Sequence, residues 1–448
     1  MTALGVVGII VGIALLIWLA YKGINVIILG PLCGLIVALF CGMNLLTTFT
    51  DVIVPGISNY VLAMFGPILM GCVVAAFYQV SGAAQSIADA IYRAFTYKAR
   101  KRAEEGEQIV LKPIIAILVI YAIGVSLAYG GLNPFVTMFI LLPIGLDVFE
   151  KAQMPREMAP GVVLGALATA ACSMPGTTSD QNVIAGTLLG TNAMAAAIPG
   201  FIGGALVLAM NIIIMNIMAK RQIAKGNVYT RPENAVEGLE KRNMPHWLIA
   251  VIPLAATIII YNGFKVNVIV ALAVNIILSI ILFWKYFQGG KGLKALLNPV
   301  PKQAAELLLQ VGALGALGAV VAASPIFPVI TDGLLQMQIP GLFKVIICIA
   351  LLTGASGSGP AGLNATLPYL SESFAQMGIS MNAVHRVAVF SSQTLDTLPT
   401  NPGFAVATNF IEVPMNQSYK YVFITTVLNT TITAFVVAVI LTIMPGLA

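Results

Sequence analysis

Apolar residues in this chain fall in long runs that are separated by short polar connections. A helix needs about 20 apolar residues to cross the hydrocarbon core of a bilayer. Eight runs approach or reach this length, and each predicts a full membrane span. These runs cover residues 3–21, 24–43, 61–80, 197–218, 246–262, 265–284, 303–323 and 418–444.

Four further apolar segments are interrupted by glycine, proline and polar residues. Irregular backbone at membrane depth is tolerated only where it is buried in protein or faces a water-filled cavity. These interruptions therefore indicate a site inside the membrane. The segments are 113–150, 157–196, 341–378 and 381–413, with breaks at 129–134, 173–182, 354–364 and 396–403.

The two halves of the chain repeat one order of segments. Each half has three spans, a segment broken at Gly-Leu-Asn, a segment broken around a proline, and a last span. In this comparison Gly131-Leu132-Asn133 corresponds to Gly362-Leu363-Asn364, and Met174-Pro175-Gly176-Thr177 corresponds to Leu398-Pro399-Thr400-Asn401. We therefore predict an internal repeat, with residues 1–220 and 246–448 as its two copies and a polar cytoplasmic linker at 221–245.

The basic residues indicate how the two copies are oriented. If 113–150 and 341–378 are re-entrant hairpins, each copy crosses the membrane an odd number of times and the two copies are inverted. On this path only Lys265, Lys344 and Arg386 of the 23 Lys and Arg residues lie on one side. Because cytoplasmic loops are rich in Lys and Arg, the other side is cytoplasmic and both termini lie outside. The predicted fold is an all-α polytopic membrane protein of two inverted repeats, each with a re-entrant hairpin and a broken helix.

Composition excludes several classes of protein. Hydrophobic residues make up 59% of the chain and charged residues 9%, against about 25% charged in soluble domains. The net charge of +6 arises in short connections and indicates topology, with no nucleic acid partner. The five cysteines lack metal-binding spacing and are read as free buried thiols. Metalloprotease, serine hydrolase and nucleotide-binding motifs are absent, so we expect no enzyme and no cofactor.

The breaks supply groups that suit a small anion. A half-helix that begins at mid-membrane presents free N–H groups and a positive dipole end, which bind a carboxylate. Glycine lets the backbone approach a ligand closely, and hydroxyl and amide side chains bond its oxygens. The alternative is that these side chains only cap helices or cement helix packing. The candidate substrate-binding residues are Gly131, Asn133, Thr177, Thr178, Ser179, Asn182, Ser356, Ser358, Asn364, Thr400 and Asn401.

Two acidic residues, Asp180 and Asp396, lie in the breaks. A carboxylate at membrane depth is costly and is a functional candidate by default. Either residue is a candidate for the coupling ion, as a proton carrier or as a ligand of sodium, and the alternative is a structural cap. Asp396 is favoured because Thr400 and Asn401 follow it closely. The pair His385-Arg386 is read as structural or interfacial.

At its breaks the sequence resembles a known family. The residues that carry the resemblance are LAYGGLNPFVTMFILLPIGLDVFEKAQMPRE (127–157), LTGASGSGPAGLNATLPYL (352–370) and MNAVHRVAVFSSQTLDTLPTNPGF (381–404). They resemble the gluconate:proton symporter (GntP-type) permeases of the ion-transporter superfamily, in particular the 3-hydroxybutyrate permease-like branch. Where the gluconate branch has His-Pro-Gly-Pro, this chain has Met174-Pro175-Gly176-Thr177.

The resemblance implies proton-coupled uptake of a small hydroxy- or keto-monocarboxylate through a bacterial inner membrane. It further implies an elevator mechanism in a homodimer. The scaffold would be residues 1–97 and 246–323, and the moving transport parts 113–220 and 341–448. Two alternatives stay open: a sodium-coupled di- or tricarboxylate carrier, and a passive channel or cation exchanger. Few basic residues reach the breaks, which disfavours an anion of several charges.

Overall fold

The computed structural model describes residues 2–22, 24–104, 109–132, 134–231, 243–264, 266–287, 289–399 and 401–448. Asn133 and Thr400, two candidate site residues, lie outside the described residues. Within the described ranges the regular elements are helices, and none of them is a β-strand.

The first half of the chain forms ten helices over its described residues, besides a short 3-10 helix at Arg156–Met158. The first four are α1 (Thr2–Tyr21), α2 (Val26–Phe40), α3 (Leu45–Val80) and α4 (Ala83–Glu104). They are followed by α5 (Pro113–Tyr129), α6 (Pro134–Lys151), α7 (Ala159–Leu167), α8 (Ala170–Ser173), α9 (Asp180–Leu189) and α10 (Ala197–Ala224).

The second half forms ten further helices over its described residues, besides a short 3-10 helix at Pro445–Leu447. The first five are α11 (Trp247–Gly263), α12 (Val268–Tyr286), α13 (Gly289–Leu297), α14 (Val300–Ala323) and α15 (Phe327–Gln336). The last five are α16 (Gly341–Ser356), α17 (Gly359–Gln376), α18 (Met381–Ser391), α19 (Pro402–Ile411) and α20 (Met415–Ile443).

The predicted spans lie on apolar helices. Five helical stretches in the described ranges are long and apolar enough to cross a membrane: Leu45–Val80, Ala197–Ala224, Val268–Tyr286, Gly292–Ala323, which joins α13 and α14, and Met415–Ile443. The other predicted spans lie on the apolar helices α1, α2 and α11. Asparagine begins several spans, because its side-chain oxygen satisfies a free N–H of the first turn. Asn25, Asn44 and Asn267 cap α2, α3 and α12 in this way.

Four of these helices, α2, α3, α12 and α14, pack together, and we call them the central bundle. Helix α14 packs on α2 and α3, and α3 packs on α12. Small residues allow close crossing of these helices. Gly30 of α2 lies directly against the backbone of Ala313 in α14, where a Cβ atom would clash.

The broken segments form a second group. Helices α5 and α6 pack on each other as one hairpin, and α16 and α17 as another. Helix α9, from the first broken segment, packs on α17 of the second hairpin. Helix α19, from the second broken segment, packs on α6 of the first hairpin. Each broken segment therefore contacts the hairpin of the other half, and the four breaks come together.

The second hairpin differs from the prediction. The break predicted at 354–364 is only two residues long, because α16 ends at Ser356 and α17 begins at Gly359. The turn is made at Gly357, which has a φ of +63°. Gly362 lies inside α17 and packs against Thr353 with no room for a Cβ atom. The two Gly-Leu-Asn sequences therefore do not occupy equivalent positions: Gly131 lies between α5 and α6 with a φ of +102°, whereas Gly362 lies in the first turn of α17.

Candidate functional site

The four breaks meet at one cavity. Its volume is about 190 Å³, whereas one water molecule needs roughly 10–15 Å³ on the same measure. The cavity therefore has room for a small organic molecule. Seven of the candidate residues line it: Gly131, Thr178, Ser179, Asp180, Ser358, Asp396 and Asn401.

The opposite wall of the cavity comes from the central bundle and is apolar. It consists of side chains such as Ile68 of α3, Leu272 of α12 and Val311 of α14. Gln310 of α14 is the one polar side chain that the described residues of this bundle contribute to the wall. The cavity thus separates the polar breaks from an apolar surface.

Helices α6, α9, α17 and α19 begin at the cavity. The N-cap residues Ser179, Ser358 and Asn401 precede α9, α17 and α19, and each accepts a hydrogen bond from a backbone N–H of its helix. Pro134, the first residue of α6, also lines the cavity. Helix N-termini attract anions through their dipole and their free N–H groups. None of the described lining residues is Lys, Arg or His. The partial positive charge at the cavity therefore comes from the helix N-termini.

Asp396 joins the second break to the second hairpin. Its Oδ1 atom accepts a hydrogen bond of 2.8 Å from the backbone N–H of Gly359, the first residue of α17. The Asn401 amide donates to the Asp396 carbonyl oxygen at 3.2 Å. Asp396 thus caps a helix 37 residues earlier in the chain, while its side chain still lines the cavity.

Asp180 differs from Asp396 in its surroundings. It is the first residue of α9 and lines the same cavity. Among the described residues, its carboxylate has neither a hydrogen-bond donor nor a basic partner. No group of three or more His, Cys, Asp or Glu residues in the described ranges is arranged to hold a metal ion. Asp180 is therefore an unpaired carboxylate beside the N-terminus of its own helix.

Thr177 and Asn182 lie behind the cavity wall. The Asn182 amide donates to Thr177 Oγ1 at 2.6 Å and to the carbonyl oxygen of Met174 at 3.2 Å. Ser179 Oγ donates to the carbonyl oxygen of Cys172 at 2.6 Å. These bonds satisfy the backbone of the first break and fix its shape.

Arg386 reinforces the same break and is fully buried. Its guanidinium donates to the carbonyl oxygens of Ser173 at 2.5 Å, Ala193 at 2.6 Å and Ala195 at 3.0 Å. It also donates to Asn182 Oδ1 at 3.1 Å. The side chain therefore binds backbone and does not line the cavity.

His385 completes this network. Its Nδ1 atom lies 2.6 Å from Thr191 Oγ1, and its Nε2 atom lies 3.2 Å from Asn182 Oδ1. Because Asn182 Oδ1 accepts from Arg386, it also accepts from Nε2–H, and Nδ1 accepts from the Thr191 hydroxyl. The His385-Arg386 pair is thus fully buried and bonded to the first break, which agrees with a structural role.

The remaining candidate residues lie in different places. Thr178 Oγ1 is buried, and it has no hydrogen-bond partner within the described part of the chain. A Cβ atom on Gly131 would lie 2.9 Å from that oxygen. Asn364 faces Gly315 of α14 and is not among the residues that line the cavity. Ser356 ends α16, and its side chain lies outside the described part of the structure.

Two polar lining residues, Gln181 and Gln310, are not among the candidates that the sequence predicts. Gln181 lies inside a predicted break, beside the candidate residues Asp180 and Asn182. Gln310 stands in an otherwise apolar stretch of a predicted span, where a polar side chain is costly unless it has a partner. That cost was the available signal for Gln310.

The chain is similar to proteins that are named as transporters. It is 26% identical over 478 residues to the uncharacterized transporter YxjC of Bacillus subtilis (strain 168), covering 96% of this chain and 98% of that protein. The fold is similar to the crystal structure of the Alcanivorax borkumensis YdaH transporter, with a TM-score of 0.61, 14% identity, and coverage of 90% of this chain and 89% of that chain. No protein-family model matches the chain. With the apolar helices, these similarities support a membrane transport function for a multi-pass membrane protein.

Proposed function

We propose that the chain is a secondary active transporter that takes up a small hydroxy- or keto-monocarboxylate, such as 3-hydroxybutyrate, together with protons. The observation that carries this proposal is the cavity at which four helices begin. Its partial positive charge comes from helix N-termini, and its hydroxyl and amide groups come from the breaks. This combination suits one carboxylate and one neutral oxygen.

The charge of the lining favours a monocarboxylate over a di- or tricarboxylate. An anion of several charges needs cationic side chains in its site, and bidentate Arg is the usual choice. The described lining residues include no cation. Arg386, the nearest one by sequence, donates its hydrogen bonds to backbone carbonyls and Asn182. This arrangement weakens the sodium-coupled di- or tricarboxylate alternative.

We further propose that Asp180 carries the coupling proton and that Asp396 is a positioning residue. A proton on Asp180 breaks no hydrogen bond or ion pair within the described residues, because its carboxylate forms none there. Asp396 accepts from Gly359 N–H, so it holds the hairpin tip in place. Asp180 therefore replaces Asp396 as the favoured carrier, and sodium stays the alternative coupling ion.

The proposed mechanism is an elevator built from two inverted repeats. The central bundle would belong to the fixed scaffold, in residues 1–97 and 246–323. The broken segments would move in residues 113–220 and 341–448. The recurring order of long helix, hairpin, broken segment and last helix supports the repeat, as does the matched packing of α9 on α17 and α19 on α6. We propose that the scaffold dimerises and that both termini lie outside the bacterial inner membrane.

The proposal is tested by uptake of labelled 3-hydroxybutyrate into proteoliposomes under an inward proton gradient, an inward sodium gradient, or neither. We expect accumulation with the proton gradient only. Accumulation with the sodium gradient alone would show that sodium, and not the proton, is the coupling ion. Absence of uptake under all conditions would refute 3-hydroxybutyrate as the substrate.

Counterflow separates the transporter from the channel or cation exchanger. Vesicles loaded with unlabelled 3-hydroxybutyrate should transiently concentrate the labelled acid without any ion gradient. A pore shows no counterflow, and a cation exchanger does not move the acid at all.

A further inference from the structure

Gln181 is a mostly buried residue whose amide has no hydrogen-bond partner among the described residues. It is the second residue of α9, is 7% exposed and lines the cavity. Its neighbours Ser179 and Asn182 are bonded to the first break, whereas no described residue bonds the Gln181 side chain. The Gln181 amide therefore faces the cavity, where a molecule that enters it can become its hydrogen-bond partner.

Gln310 presents a second amide on the facing wall. It lies in α14 between the apolar lining residues Leu307 and Leu314. No described residue forms a hydrogen bond with its side chain either. Gln310 is half-buried, so its amide is open to the cavity and free to bond a ligand that enters it.

We propose that Gln181 and Gln310 form a subsite for the neutral oxygen of the substrate, its hydroxyl or keto group. This inference rests on the proposed function. An amide both donates and accepts hydrogen bonds, so two amides satisfy a hydroxyl group completely. A carboxylate only accepts, and it already has the helix N-termini. The carboxylate end therefore lies toward the breaks, and the hydroxyl or keto end lies between the two amides.

The subsite also joins the two groups of helices. Gln181 belongs to a broken segment, and Gln310 belongs to the central bundle. A substrate that carries the neutral oxygen bridges both walls, whereas a plain fatty acid contacts only the breaks. The subsite therefore distinguishes hydroxy and keto acids from the corresponding unsubstituted acids.

The test is competition in the counterflow assay, with unlabelled 3-hydroxybutyrate or butyrate as inhibitor. The wild-type protein should bind butyrate about tenfold more weakly, which is the effect of roughly one well-placed hydrogen bond. Gln181→Leu and Gln310→Leu should each bring this ratio toward one by weakening 3-hydroxybutyrate alone. Gln310→Met serves as a second apolar variant of similar length.

Gln303→Leu is the matched control, because Gln303 lies on the same helix, is exposed and does not line the cavity. It should keep the wild-type ratio. Folding of each variant is checked by monodisperse elution in detergent. The subsite is refuted if folded variants keep the wild-type ratio, or if both inhibitors weaken equally. Absence of counterflow in the wild-type protein refutes the proposed function itself, and the subsite with it.

Discussion

The Arg386 guanidinium donates a hydrogen bond of 2.5 Å to the backbone carbonyl of Ser173, which is 213 residues away in the chain. Ser173 is the last residue of α8, where a helix leaves carbonyl oxygens free and carries partial negative charge. A buried cation at this point donates hydrogen bonds to the free carbonyl oxygens and balances the partial negative charge. The bond also fastens the first break to α18 of the second half, so the shape of the cavity depends on contacts between the halves.

The hydrogen bonds from Arg386 to the first break are tested by Arg386→Lys. Lysine keeps the positive charge but has a single side-chain nitrogen. It therefore cannot donate to three carbonyl oxygens and the Asn182 amide oxygen at once, as the planar guanidinium does. We expect the variant to lose about 3 kcal/mol of folding stability, because hydrogen bonds to charged groups contribute about 1.5–3 kcal/mol each. The measurement is the thermal unfolding midpoint in detergent, together with uptake.

Arg93→Lys is the control for this variant. Arg93 forms an exposed pair with Asp89 at 2.7 Å, and such pairs contribute about 0–1 kcal/mol. Its midpoint should therefore stay near the wild-type value. A midpoint for Arg386→Lys equal to that of Arg93→Lys would show that the buried contacts do not stabilise the break.

The two acids of the cavity are tested by comparing Asp180→Asn with Asp396→Asn. Asp180→Asn should abolish accumulation driven by the proton gradient and keep counterflow, since it removes only the proton carrier. Asp396→Asn should keep proton-driven uptake, because an amide oxygen still accepts from Gly359 N–H. Asp396→Ala removes that cap, so we expect it to lose about 1 kcal/mol of stability and much of the transport rate. Uncoupling by Asp396→Asn, with Asp180→Asn still coupled, would reverse the assignment.

The sequence predicted the helices and their breaks because glycine, proline and polar residues are costly inside an apolar run. It did not predict which acid is engaged, since the bond between Asp396 and Gly359 joins residues 37 positions apart. It also made the second hairpin break too long, because it counted Gly362 as part of the turn. The glycine of a Gly-Leu-Asn sequence allows either a turn or a close contact between two helices. Gly362 of α17 makes such a contact, because it packs against Thr353 of α16.

The approach of the first hairpin to the first break is tested by Gly131→Ala. Gly131 has a φ of +102°, where an L-residue costs about 1–3 kcal/mol. Its added Cβ would also lie 2.9 Å from Thr178 Oγ1. We expect the half-saturating substrate concentration to rise about tenfold, since a loss of roughly 1.4 kcal/mol in binding corresponds to that factor.

Gly190→Ala separates backbone strain from crowding at the site. Gly190 has a φ of +64°, but a Cβ atom there would meet nothing within 4 Å. This variant should lose some stability and keep the wild-type substrate affinity. If both variants changed affinity equally, strain alone would explain the effect of Gly131→Ala.

Relative movement of the two helix groups is tested by cross-linking α14 to α17. A Cβ atom on Gly315 would lie 3.4 Å from the Asn364 amide nitrogen, so Gly315→Cys with Asn364→Cys places two thiols within reach of Hg²⁺. The native cysteines are replaced first. If the broken segments slide past the central bundle, this cross-link should abolish uptake, and excess thiol should restore it.

The control pair is Gly34→Cys with Val320→Cys. These positions lie within the central bundle with Cβ atoms 3.8 Å apart, a separation that suits a disulfide. That cross-link should leave uptake intact, and full uptake with the first pair cross-linked would rule out an elevator movement at this interface.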